Sequence, residues 1–353
     1  MSAVQLTELL GIDSPIVLGA FGGLSSIELT ATVSELGGLG SYGLYGYDPE
    51  RILETAGALR AATARPFALN LWLPTGDEVR PGQTDLAAAV AAMRPFFDEL
   101  GLEVPAEPAR YLPSADEQLD AVLEARPAVL SLVYGTPSDS LVDRARVAGI
   151  RLVGTATTVA EAVALEVSGV DAVVATGMEA AGHRVSFLRD PADSLVGTFA
   201  LVPQVVDAVR LPVLAAGAVA DRRGVAAAFA LGASGIVAGT AFLRTRQSAA
   251  TDAHRRSIAS TAADGTVLTR AMSGRLSRGV PNRAVRALEA ADAIAAFPAQ
   301  NWLTGRFRAE AGRRGIGDLL SLWVGQGAPL ARLDDAREVY AELAAGLPRP
   351  EGR

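Results

Sequence analysis

Between residues 15 and 240 the chain alternates short, unbroken apolar runs with longer stretches in which apolar residues recur at helical spacing. The runs are 15–20 (PIVLGA), 39–44 (LGSYGL), 66–72 (PFALNLW), 128–134 (AVLSLVY), 151–157 (RLVGTAT), 172–177 (AVVATG), 212–217 (PVLAAG) and 235–240 (GIVAGT). Runs without polar alternation suit strands buried on both faces, as in a parallel sheet. Ser25 with Glu28, Ser114 with Glu117 and Thr158 with Glu161 have capping-box spacing ahead of the helical stretches. Gly37, Gly149, Gly169 and Gly232 stand where helices should stop, each shortly before a strand. Eight strand–helix repeats in about 250 residues predict an α/β fold of the (β/α)8 type, a TIM barrel. The competing architecture is an open doubly wound sheet. It needs a glycine-rich first turn, and GAFGG at 19–23 matches that fingerprint poorly.

Beyond residue 240 the pattern changes. Residues 246–322 read as helical with no clear strand, and they contain a turn-rich stretch, SGRLSRGVPNR, at 273–283. Residues 334–345 (DDAREVYAELAA) read as one amphipathic helix. The expected organisation is a barrel over 1–245, a helical cover over 246–330 inserted after the eighth strand, and a returning C-terminal helical segment over 331–353. Barrel sites lie at the carboxyl ends of the strands, so an insertion at that end would roof the site. Residues 73–113 form a second enlarged connection, with a helical centre at 85–100.

Composition narrows the chemistry. The 353 residues carry a formal charge of -7 and no basic run, which argues against a nucleic-acid partner. No apolar window reaches about 18 residues, so no membrane span is expected. The N-terminus lacks a signal-peptide pattern, and a cytoplasmic location is expected. Cysteine is absent, which excludes disulfides, thiolate metal sites and a cysteine nucleophile. Lysine is absent as well, so all 32 basic residues are arginine. That excludes a Schiff-base lysine and a Walker-type phosphate lysine. Two histidines, His183 and His254, are too few for a histidine-rich metal centre, and no metal is expected. A small-molecule substrate is expected, and a homo-oligomer is left open.

The densest candidate for chemistry is ATGMEAAGHR at 175–184, after the sixth strand. In a barrel it places His183 over the mouth, as a general base or a hydrogen-bond donor to an anion. A surface-loop histidine beside an arginine is the bland alternative. The strand ends AAGA (215–218) and AGT (238–240) are small, as suits a phosphate site built from backbone N–H groups, to which the Thr240 hydroxyl would add. Helix–strand packing favours the same residues. Asn70 sits in an otherwise apolar run, so its amide needs a partner, from a ligand or from neighbouring backbone.

Taken together, 15–43, 67–72, 175–184, 212–245 (PVLAAGAVADRRGVAAAFALGASGIVAGTAFLRT), 273–283 and 322–327 (LWVGQG) make the chain resemble the nitronate monooxygenase family, once called 2-nitropropane dioxygenases. The resemblance spans nearly the whole chain. It implies an FMN-dependent TIM barrel that oxidises nitronates with O2 to a carbonyl compound and nitrite. Ala20, Phe21 and Gly22 would contact the flavin ring, and Asn70 and Thr176 the cofactor. Ala181 and Gly182 would lie by its phosphate or ribityl chain. Gly217, Ala218, Gly239 and Thr240 would form a phosphate cup, and His183 matches the catalytic histidine. The chain departs from the family pattern at four places. Ala20-Phe21-Gly22 replaces Pro-Met-Ala, Thr176 replaces a glutamine, Ala181 the first glycine of Gly-Gly-His, and Ala218 the second of a Gly-Gly pair. The amide at Ala218 is expected to serve if its φ stays negative. Tyr42, Tyr45 and Tyr134 are expected to shape the pocket together with the cover. Two alternatives stay open: an FMN-dependent enoyl-thioester reductase or other specialised flavin enzyme using NAD(P)H, and a flavin binder without turnover.

Overall fold

The computed structural model describes residues 3–348; positions 349–353 of the expected C-terminal segment lie outside the described residues. Each of the eight apolar runs contains a strand: β1 (Ile16–Leu18), β2 (Gly40–Gly43), β3 (Phe67–Trp72), β4 (Val129–Val133), β5 (Arg151–Ala156), β6 (Ala172–Thr176), β7 (Val213–Ala216) and β8 (Gly235–Ala238). They form one 8-stranded parallel sheet in the order β1-β8-β7-β6-β5-β4-β3-β2, with helices between. A parallel bridge between Val17 and Leu39 joins β1 to β2 and brings the sheet round into a (β/α)8 barrel. Among the described residues, no helix is long and apolar enough to cross a membrane.

The unbroken apolar runs have a structural cause. Along each strand, residues alternate between the barrel interior and the surrounding helices, and both environments are dry. Leu69, Leu71, Leu130, Leu132, Val173 and Val213 face outward into the helix-packed core. Ala68, Val129, Val153, Ala172, Val174 and Leu214 face inward, where Leu6 and Leu10 of the first helix, Ala3–Leu10, pack against them. Two residues further along several strands the interior becomes polar. Ser41, Asn70, Ser131, Thr155 and Thr176 line a cavity at the carboxyl ends.

The glycines expected at helix ends, Gly37, Gly149, Gly169 and Gly232, all have positive φ. All three expected capping boxes differ. The first helix after β1 is capped by Ser26, whose side chain accepts from Leu29 N. Ser25 instead ties two loops together: its Oγ donates to Phe21 O (3.0 Å) and accepts from Gly43 N (3.1 Å). Thr158 caps its helix, but the Glu161 carboxylate does not close a capping box. It is fully buried and accepts from Thr157 N and Phe187 N, both at 2.7 Å, so it anchors the segment after His183. Ser114 sits at a helix start without a side-chain cap bond.

The region after β8 corrects the sequence reading in one respect. It contains helices Asp252–Ser260, Arg283–Ala291 and Ala299–Arg313, but also strands Val267–Thr269 and Ser277–Gly279. These pair antiparallel, and the second pairs with Gly182–His183. Three-residue strands are too short to show a period, and their partner comes from a barrel loop far away in sequence. Helix Ala87–Leu100, from the enlarged connection after β3, packs Met93, Phe96 and Phe97 against Leu288, Leu303 and Phe307 in a second core. The helix Ala336–Ala344 then returns to the barrel beside Ile27–Glu35 and Arg222–Ala230.

Candidate active site

The cavity at the carboxyl ends of the strands measures about 420 Å³, within the range of small-molecule sites. All of the candidate site residues line it: Ala20, Phe21 and Gly22 after β1, Asn70 on β3, Thr176, Ala181, Gly182 and His183 at and after β6, Gly217 and Ala218 after β7, and Gly239 and Thr240 after β8. Residues distant in sequence are thus brought to one place by the topology alone.

At the β7 and β8 ends the backbone is open for a ligand. Among the described residues, the N–H groups of Ala218 and Gly239 donate to no protein group. Gly239 precedes the short helix Thr240–Leu243 without any side-chain cap, so the first amides of that turn are also free. A Cβ at Gly239 would meet only the Phe21 ring, at 3.7 Å. The condition set on the Ala218 amide, a negative φ, is not met, since Gly217 has φ 111 and Ala218 φ 57, yet the N–H itself is present and unpaired among the described residues. The turn needs left-handed backbone at both residues, which is why a glycine pair suits it and why alanine is strained there. The cover closes on this turn backbone to backbone. A Cβ on Gly327 would lie 2.9 Å from Ala218 Cα, and one on Gly325 would lie 2.9 Å from Glu179 O. Those close approaches account for the two glycines of LWVGQG.

His183 occupies the strand that joins barrel to cover, so the surface-loop alternative does not describe it. Its Nε2 lies 2.8 Å from Ser273 Oγ. That hydroxyl also lies 3.1 Å from Arg275 O and accepts from Arg275 N. If the serine proton goes to Nε2, Nδ1 carries the imidazole proton and is a donor. The ring packs against Trp72 at 4.8 Å and Trp323 at 5.3 Å. Burial, and then the guanidinium charges of Arg275 and Arg308, hold its pKa well below the ordinary histidine range. His183 is therefore neutral at neutral pH and a weak proton acceptor until an anion joins it.

Asn70 satisfies part of both readings offered for it. Its Nδ2 donates to Ser131 Oγ (3.0 Å) and Ser131 O (3.2 Å) on β4, a structural tie. Among the described residues no donor reaches its Oδ1, which stays available to the cavity.

Several residues that shape the site have no role assigned from the sequence, although some lie within ATGMEAAGHR and SGRLSRGVPNR. Arg184 is 1% exposed and donates to Gly177 O (2.7 Å) and Thr176 O (3.2 Å), while Arg278 Nε donates to Met178 O (2.8 Å). The two cations fix the backbone that leads to His183. Burial lowers both pKa values, that of Arg184 to about 10. Glu179 caps the helix Thr198–Ala208 through Thr198 N at 2.9 Å. Arg275 is buried under the cover, where it pairs with Asp77 (2.6 Å) and Glu78 (2.7 Å) and lies over the Phe297 ring at 3.9 Å. It latches the loop after β3 to the cover. Of the three expected tyrosines only Tyr45 lines the cavity. The Tyr42 hydroxyl lies beside that of Tyr47 at 3.2 Å, and Tyr134 is buried beneath Arg275. From the cover come Phe297, Asn301, Arg308 and Trp323. Trp323 belongs to the LWVGQG stretch, but nothing in the sequence sets Asn301 or Arg308 apart from other helix positions.

Known proteins place this architecture in context. The family model for nitronate monooxygenase matches residues 3–346. A probable nitronate monooxygenase of Staphylococcus aureus (strain Newman) is 35% identical over 342 residues, covering 96% of each chain. The solved structure of nitroalkane oxidase from Streptomyces ansochromogenes superimposes with a TM-score of 0.85 at 33% identity, over 98% of this chain and 97% of that one. FabK from Thermotoga maritima superimposes with a TM-score of 0.75 at 27% identity, over 96% and 94%. A match along the whole chain, on a barrel whose cover closes over His183, identifies an oxidoreductase that belongs to the nitronate monooxygenase family.

Proposed function

We propose that the protein binds FMN in the cavity and oxidises alkyl nitronates with O2, giving a carbonyl compound and nitrite. The observation that carries this reading is the pairing of free amides at two adjacent strand ends with a neutral, arginine-flanked histidine in one aromatic-walled cavity. When bound, the flavin supplies the ring that takes electrons from the substrate and passes them to oxygen.

The residues fit a flavin monophosphate. The uncapped amides at Ala218, Gly239 and Thr240 are ready donors for a terminal phosphate, and Gly239 leaves room for it. Asn70 Oδ1 and the Thr176 hydroxyl are among the polar groups that the strands offer to the ring, beside Ala20, Phe21 and Gly22. Thr176 is shorter than the glutamine usual there and leaves more space. Ala181 and Gly182 border the chain between ring and phosphate. His183, braced by Ser273, is suited to hold the nitronate oxygens rather than to strip a proton from a neutral nitroalkane, because proton uptake is opposed by burial and two guanidinium charges.

The test is anaerobic mixing of the flavin-loaded protein with a nitronate and, separately, with NAD(P)H. Bleaching by the nitronate alone, with nitrite formed on admitting air, is expected. Bleaching by NAD(P)H alone, with an enoyl thioester then reoxidising the flavin, would transfer the assignment to the enoyl-thioester reductases.

A further inference from the structure

Arg308 is the cavity-lining cation whose counter-charge is missing. It rises from the cover helix Ala299–Arg313. Its guanidinium donates to Ser321 Oγ (2.8 Å), to Asn301 Oδ1 (2.7 Å) and to Asn301 O (3.2 Å). Its Nε is shielded from solvent and has no partner. No Asp or Glu among the described residues pairs with it, in contrast to Arg275, which has two carboxylates. Burial pulls its pKa down to about 10, and the one group that favours its charge is the phenol of Tyr45. That phenol is itself held neutral, chiefly by burial, and its oxygen accepts from Asn301 Nδ2 at 3.0 Å. The phenol proton is therefore a second donor beside the guanidinium. Arg308 is half-buried and its Nε is shielded; a cation partly withdrawn from water without a counter-ion is costly, and a ligand anion lowers the cost.

The surroundings limit what that anion is attached to. Tyr45 packs on Trp72 at 4.4 Å, Trp72 on Phe297 at 6.0 Å, and His183 lies between Trp72 and Trp323. These rings make flat apolar walls around the histidine, on the side of the cavity where the charges of Arg275 and then Arg308 act on it. The free amides of the cup lie on β7 and β8 turns and give a phosphate its own donors.

We propose that Arg308, with the Tyr45 hydroxyl, is the specificity anchor of the substrate half of the cavity, and that the substrate is an oxyanion carried on an aromatic or branched apolar body. The proposal rests on the functional reading above only for the reacting group; the anchor itself requires an anion, whether nitronate or carboxylate.

Titration of the flavin-loaded protein with benzoate and with its neutral counterpart benzamide tests it, followed by the flavin spectrum and by tryptophan fluorescence. Benzoate should saturate, and benzamide should bind at least about 10-fold more weakly, as expected for a hydrogen bond to a charged group. Acetate, which lacks the apolar body, should also bind more weakly than benzoate. Arg308→Met, which keeps the stem length, should weaken benzoate by about 10- to 100-fold, and Arg308→Lys should restore part of the loss. Flavin content and thermal midpoint should stay near wild type in both. The KM of phenylnitromethane nitronate should rise in Arg308→Met more than that of its neutral nitro form. Equal binding of benzoate and benzamide by the wild-type protein would overturn the anchor even if the variants failed to fold. Loss of flavin from a folded Arg308→Met would overturn it by assigning the charge to the cofactor. Benzoate discrimination without any nitronate turnover would uphold the anchor and remove the nitronate activity; nitronate turnover indifferent to Arg308→Met would do the reverse.

Discussion

The strand-borne wall of the cavity is built from Ser41, Asn70, Ser131, Thr155 and Thr176 with glycine and alanine turns, whereas the cover contributes Phe297, Asn301, Arg308 and Trp323. The first wall offers backbone amides and short hydroxyls fixed by a rigid sheet. The second offers large rings and a cation on helices with a hydrophobic core of their own. Such a division suits a constant ligand held by the barrel and a variable one selected by the cover. His183 stands at the seam, on the two-residue strand where the ribbon of the cover pairs with a barrel loop.

The largest expected break in this comparison is Gly239→Glu. The backbone there tolerates a side chain, since only the Phe21 ring is near. A carboxylate beside the free amides would, however, occupy and repel a phosphate. Bound flavin should fall below about a tenth of wild type, while circular dichroism stays that of a folded barrel. A folded, fully yellow variant would remove the cup from the barrel wall.

His183→Asn tests the seam. Loss of an anion-holding donor should lower kcat/KM by about 10²-fold with flavin content unchanged. Because burial and the two arginines disfavour protonation of His183, nitronates and neutral nitroalkanes should suffer alike. A loss confined to the neutral substrates, read from parallel assays, would restore the general-base role.

Arg275→Met should loosen the cover selectively. The arginine is 7% exposed and Glu78 23%, so the pair is largely shielded, but Asp77 is 69% exposed and adds little. Destabilisation of about 2–3 kcal/mol is expected in denaturant titration. KM should rise while flavin stoichiometry stays intact. Loss of flavin together with stability would show that barrel and cover do not divide the work.

The smallest effect is expected at Ala218→Gly. Relief of the left-handed alanine should raise stability by about 0.5–1 kcal/mol, offset in part by the freer unfolded glycine. A lower thermal midpoint would mean that the alanine methyl group contributes packing which outweighs its strain.

The barrel was legible in the sequence because each strand is dry on both faces, so its apolar run is continuous, and because left-handed glycines mark the helix ends. The barrel-borne candidates were legible for a related reason. They sit at strand ends, and in this topology all strand ends meet at one mouth. What failed was what depends on partners remote in the chain. Ser25 and Glu161 have the spacing of helix caps, yet they serve loop contacts that only the assembled barrel creates. The ribbon strands of the cover exist because Gly182–His183 offers them an edge. Tyr42 and Tyr134 could not be separated from Tyr45 before the packing was known. Arg308 is one of 32 arginines in the sequence. Its distinction, a half-buried charge that no carboxylate among the described residues pairs, comes from the fold, because burial and pairing belong to the environment of a side chain and not to its place in the chain.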